Sequence, residues 1–68
     1  MKIYDKNGRE KIIRFDRFYE NSKGIYFLIY KIYDSKFYKS GYETEIMVEE
    51  TERLMDVLSY YGYSEERR

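Results

Sequence analysis

The sequence predicts an α+β domain in which an antiparallel sheet of three or four strands is followed by one C-terminal helix packed on one face. Three observations carry this. Apolar and aromatic residues alternate over short runs through the first two thirds of the chain, which is the period of half-buried strands. The turn formers Asn7-Gly8 and Asn21-Ser22-Lys23-Gly24 separate those runs. Leu54, Val57, Leu58 and Tyr61 then recur at the spacing of one helical stripe.

Each element follows in order. Lys2 to Asp5 reads as a short first strand, and Lys6-Asn7-Gly8-Arg9 carries the Asn-Gly pair whose tolerance of positive φ suits a two-residue type I′ hairpin. Strand two then runs from Glu10 to Glu20. Ile13, Phe15 and Tyr19 point to its expected core side, and Ile12, Arg14, Asp16 and Phe18 point away. Strand three, Gly24 to Asp34, has Ile25, Phe27 and Ile29 on one face and Tyr26, Leu28, Tyr30 and Ile32 on the other. Apolar on both faces, it belongs at the centre, with one face under a helix and the other toward a second layer, a partner or a ligand. Residues 34–41 read as a longer loop or a wide hairpin with Phe37 and Tyr38 exposed near its tip. Tyr42 to Val48 alternates as a fourth strand, although Glu43 and Glu45 are good helix formers and helix is the alternative. Glu49, Glu50 and Glu52 crowd the first turn of the helix, where carboxylates meet free backbone N–H groups, and Gly62 is placed to end it. The domain spans 1–62, with a frayed tail over 63–68.

At 68 residues the chain fits one domain, and a chain of this size buries only about 60% of its unfolded surface. Cysteine and histidine are both absent, which removes disulfides and the usual zinc ligands as staples and makes a homodimer the expected way to enlarge the core. The longest apolar run, Ile25 to Tyr30, is far short of the roughly 20 residues a membrane span needs. The reading is a cytoplasmic chain without a signal peptide or membrane contact.

The same absences argue against catalysis, since neither histidine nor cysteine is present to supply an acid–base group or an activated nucleophile, and the serines have no histidine base. No catalytic residue, cofactor site or metal site is assigned. Glu49 and Glu50 with Glu45 or Glu52 offer oxygen ligands, but no calcium-loop spacing accompanies them.

Charge and aromatic content carry the functional readings. The net charge is zero, yet residues 1–41 hold ten basic residues against five acids, and residues 42–68 hold three against eight. Attraction between a basic sheet and an acidic helix explains this without a partner, and a charged partner explains it otherwise. The first functional reading is a small protein-binding regulator or inhibitor of the phage-encoded sort. Its acidic side, Glu43, Glu45, Glu49, Glu50, Glu52 and Asp56, would occupy a basic channel of a host protein. The second starts from ten tyrosines and four phenylalanines. Tyr26, Tyr30, Phe18, Phe37 and Tyr38 would stack bases while Arg14, Arg17, Lys31, Lys36 and Lys39 follow the phosphates of a single-stranded nucleic acid. Zero net charge weighs against this second reading.

The order of segments IYFLIYKIYD, SKFYKSG, YETEIMV and EETERLMDVLSYYG resembles the single-stranded-DNA-binding coactivator family known as positive cofactor four. There a curved antiparallel sheet, a basic aromatic loop, a short last strand and a dimer-forming helix follow in this order. The resemblance covers about half the chain and implies a homodimer holding single strands near Lys31, Lys36, Lys39 and Tyr38. The family's last strand opens on a Gly-Ile pair, where this chain carries Glu43 and Glu45.

Overall fold

A computed structural model describes residues 1–36 and 38–66. Strands β1 (Lys2–Tyr4), β2 (Glu10–Glu20), β3 (Tyr26–Asp34) and β4 (Thr44–Glu49) precede helix α1 (Leu54–Tyr60). They form one antiparallel sheet in the order β1-β2-β3-β4, so the fourth strand favoured by the alternation of Tyr42 to Val48 is present.

The helix lies on one face. Ile3, Ile13, Ile32, Ile46 and Val48 from all four strands form the core with Val57 and Leu58, and Tyr30, Leu54, Met55 and Tyr63 pack around it. Each fully buried aliphatic side chain contributes about 1.5–3 kcal/mol. The helix starts later than the sequence suggests. Phe27 pairs with Glu49, so the strand alternation continues through that residue, and a turn closed by the Glu52 N–H on the Glu49 carbonyl intervenes. Glu49, Glu50 and Glu52 are therefore outside the first turn, which contains only Asp56 as an acid. Tyr61 caps the helix and is exposed, so Met55 takes the place in the core packing that the stripe gave to Tyr61. Gly62 does end the helix: at φ 92° it lets its own N–H reach Ser59 and the Tyr63 N–H reach Leu58, the paired bonds of a Schellman motif.

Both tight hairpins use one device. Asp5 accepts N–H bonds from Asn7 and Arg9 on its carboxylate, and Asn21 accepts them from Lys23 and Ile25 on its side-chain oxygen. In each, a glycine three residues on (Gly8, Gly24) takes φ 78° and donates back to the Asx carbonyl. These are three-residue loops with a glycine bulge. The type I′ geometry expected at Asn7-Gly8 needs positive φ at both central residues, and no non-glycine residue has it.

A β-bulge at Asp16 shifts the β2–β3 register between Phe15 and Arg17. Phe15 faces Tyr30 and Phe18 faces Leu28 across β3, so both phenylalanines lie on the helix side, with ring centroids 5.0 Å apart. Simple alternation had placed them on opposite faces and Tyr19 with Phe15; the extra residue reverses that assignment. The tail is tied in at its start, because Tyr4 and Ser64 exchange backbone bonds of 2.8 and 2.9 Å. Tyr63 is half-buried against the core, so this part of the expected frayed tail is ordered by pairing.

Candidate functional site

The open face of the sheet carries an ionic and aromatic lattice. Arg17 binds Asp16, its neighbour, and reaches Glu45 at 3.2 Å on the far side of β3. Because Arg17 stands opposite Ile29, its stem crosses that residue, which is only 2% exposed although it lies away from the helix. Lys31 approaches Asp16 at 3.4 Å and sits 4.6 Å from the Tyr42 ring centroid. The Arg17 guanidinium, with Lys31 in support, holds the Asp16 carboxyl below its ordinary value. Arg14 covers the Tyr38 ring at 5.6 Å, and Tyr38 packs on Tyr33 at 5.0 Å. The β3–β4 loop thus folds back over this face. Tyr38, expected exposed, is half-buried for that reason; Phe37 lies outside the described residues.

At the edge of the core, buried Lys11 donates to Asp34 at 3.2 Å and to Glu43 at 2.7 Å. Burial opposes its charge, but these bonds outweigh burial and raise its pKa. Glu43 and Glu45 therefore answer cations of the basic half within the molecule, from the start of β4 and the residue before it and not from the helix.

The nine described members of the candidate nucleic-acid set do not form one surface. Phe18 and Tyr26 lie toward the β2–β3 turn on the helix side, and Tyr30 leans on the core. Arg14, Arg17 and Lys31 are on the open face, engaged as described. Lys36 and Lys39 are exposed at the opposite end of the sheet, where the β1–β2 turn also brings Lys6 and Arg9.

The acidic set divides as well. Glu43 and Glu45 are paired. Glu49, Glu50, Glu52 and Asp56 have no cation partner among the described residues and follow one another from the end of β4 into α1. Beside them is the corner of the helix face that α1 leaves bare. Phe15 (47% exposed), Phe18 (69%) and Tyr26 (46%) are uncovered there. The exposed aromatic corner was hidden from sequence reasoning by the bulge, which no residue pattern announces.

Two concavities line the junction of β4 and α1. One is bounded by Met47, Glu52, Asp56, Val57, Tyr60 and Tyr61, the other by Thr44, Glu45, Ile46, Met47, Tyr61 and Tyr63. They share Met47 and Tyr61, so a groove follows the outer edge of β4. Among the described residues no group of three or more acids could hold a metal ion, and no helix is long and apolar enough to cross a membrane. Comparison with protein-family models, with curated proteins and with solved structures gives no match to this chain.

Proposed function

We propose that this chain is a non-enzymatic binding protein, a small regulator or inhibitor of the phage-encoded sort, which engages a protein partner through its acidic side. One observation carries the reading: Glu49, Glu50, Glu52 and Asp56 are contiguous and free of internal cations among the described residues, whereas Arg14, Arg17 and Lys31 are held by the chain's own groups. A phosphate would have to displace Asp16 and Glu45 to reach Arg17, while a basic protein surface meets carboxylates that no cation of the described residues holds. Exposed Phe15, Phe18 and Tyr26 supply aromatic area of the kind enriched at interface centres.

The test is capture of cross-linked partners from cells that make the protein, using the natural chain and an E49K/E50K/E52K variant. A protein recovered with the first and lost with the second is expected. Equal recovery with both would remove the acidic contact.

A second reading, single-stranded nucleic-acid binding of the positive cofactor four kind, is favoured by exposed Lys36 and Lys39 gathered with Lys6 and Arg9 at one end. Salt-sensitive oligonucleotide binding, lost in a K31E/K36E/K39E variant, would put that reading first. Light scattering on the same samples reads whether a homodimer forms.

A further inference from the structure

A sheet of four strands has two lateral edges, and this one has managed them unequally. On the β1 side, the tail closes Tyr4 through its two bonds with Ser64. Beyond β1, the rest of β2 is unpaired on that side, but the bulge at Asp16 breaks its regularity and Arg14, Asp16, Arg17 and Glu20 charge it. Bulges and charges are the ordinary protections of an edge. The outer side of β4 has no bulge among Thr44–Glu49 and no covering segment among the described residues.

Its hydrogen-bonding groups can be assigned. The Glu50 N–H donates to the Tyr26 carbonyl, so in the antiparallel register the residues opposite Leu28, Tyr30 and Ile32 turn their amides toward β3. Glu45, Met47 and Glu49 turn theirs outward. Consistent with this, the Glu49 N–H is taken by the Glu52 carboxylate at 3.1 Å, and the Thr44 hydroxyl approaches the Glu45 carbonyl at 3.5 Å. The N–H and C=O of Met47 and the N–H of Glu45 remain as a docking ladder two residues long.

The side chains around that ladder say what fits it. Glu45, Met47 and Glu49 alternate along the open face, so an added strand would meet the Arg17-bound Glu45, apolar Met47 and the acid Glu49 in turn. Its other side chains would enter the two concavities, against Tyr61, Val57 and Tyr60, with Glu52 and Asp56 at the rim. A second copy brings no cation of its own to Glu49: antiparallel self-pairing about Met47 sets it against the partner copy's Glu45, an acid already bound to Arg17.

We propose that β4 takes an extended, basic segment of a protein partner as a fifth strand, with a cation opposite Glu49 and an apolar residue opposite Met47. This rests on the protein-binding reading above and names its mode and the chemistry of the partner.

The probe is a fluorescein-labelled peptide with lysine, valine, isoleucine, valine and lysine in succession, flanked by glycine and serine, titrated against the whole chain by anisotropy. Two variants separate edge pairing from charge. Met47→Pro removes an outward N–H that β3 does not use, so the sheet is retained, as far-UV circular dichroism would verify. Loss of about tenfold or more in affinity is expected, since at least one ladder bond is removed and the edge is obstructed. Glu49→Lys is expected to weaken binding several-fold and to flatten its salt dependence. The peptide N-methylated on its isoleucine should not bind.

Equal binding by M47P or by the methylated peptide, with loss in E49K/E50K/E52K, would overturn strand addition and leave the acidic contact standing. Absence of peptide binding at millimolar concentration would overturn the strand inference, and cross-linked capture then reads the acidic contact separately. A single-stranded oligonucleotide that binds in its place would overturn both. A dimer of the natural chain that M47P dissolves would show a second copy on the edge and equally overturn the proposal.

Discussion

The helix face has two halves built on the same alternation and with opposite fates. Under α1, Ile3, Ile13, Ile32, Ile46 and Val48 are nearly dry, while Phe15 and Phe18, farther along the same face of β2, are about half exposed or more. The reach of the cover decides the difference. Seven helical residues extend about 10 Å, whereas the eleven residues of β2 extend about 35 Å. An apolar residue on the right face of a strand is thus core only where something lies above it, and the molecule, 37 × 25 × 14 Å along its principal axes, is too thin to provide a second cover.

The largest effect that tests this contrast is Leu58→Ala against Phe18→Ala. Leu58 is 0% exposed, and its truncation should cost about 2–5 kcal/mol, enough to unfold much of a small domain. Phe18→Ala should stay within about 1 kcal/mol, because the ring loses one edge contact with Phe15 and little burial. Urea midpoints measure both, and equal losses would mean that a further layer covers the bare corner.

A middle-sized effect is expected on the open face. Arg17→Ala uncovers Ile29 and should cost about 1 kcal/mol through lost packing, and Arg17→Met, which keeps the stem, should recover most of it. If the methionine variant is as weak as the alanine one, the ion pairs with Asp16 and Glu45 carry the effect.

The smallest effect is alkaline. Burial, then Glu43, raises the Tyr63 phenol above its ordinary 10.0, and the Lys11 ammonium stands above its ordinary 10.5. In both cases the folded value exceeds the unfolded one, so their stabilisation is complete below pH 10.0 and is lost as pH rises through the raised values. Urea midpoints should be level from neutrality to about pH 10 and fall above it, with a shallower fall in Lys11→Met. A level curve to pH 12 would mean that neither shift is coupled to folding.

Much of the fold was legible because its signals are local. Alternation marked β2, β3 and β4, Asn-Gly and Asn-Ser-Lys-Gly marked the hairpins, and Gly62 marked the helix end. What escaped depends on partners distant in sequence. The Asp16 bulge is one residue whose effect appears only against β3, the Lys11 and Arg17 pairs with β4 join residues some thirty positions apart, and the return of Tyr38 over Arg14 is set by the loop's path. The candidate sites suffered most, since a list of charged and aromatic residues does not record which are already engaged by one another.

The sheet order also bears on how the chain reaches this state. Every strand pairs with its neighbour in sequence, and both tight turns are closed by an Asx side chain with a glycine three residues on. Two hairpins sharing β2 can each form on a scale of roughly 1–10 μs, and mostly local pairings place such a meander toward the fast end for β-containing domains. The bond pair joining Tyr4 to Ser64 spans nearly the whole chain. It should be the last contact made in refolding and the first to open in amide exchange.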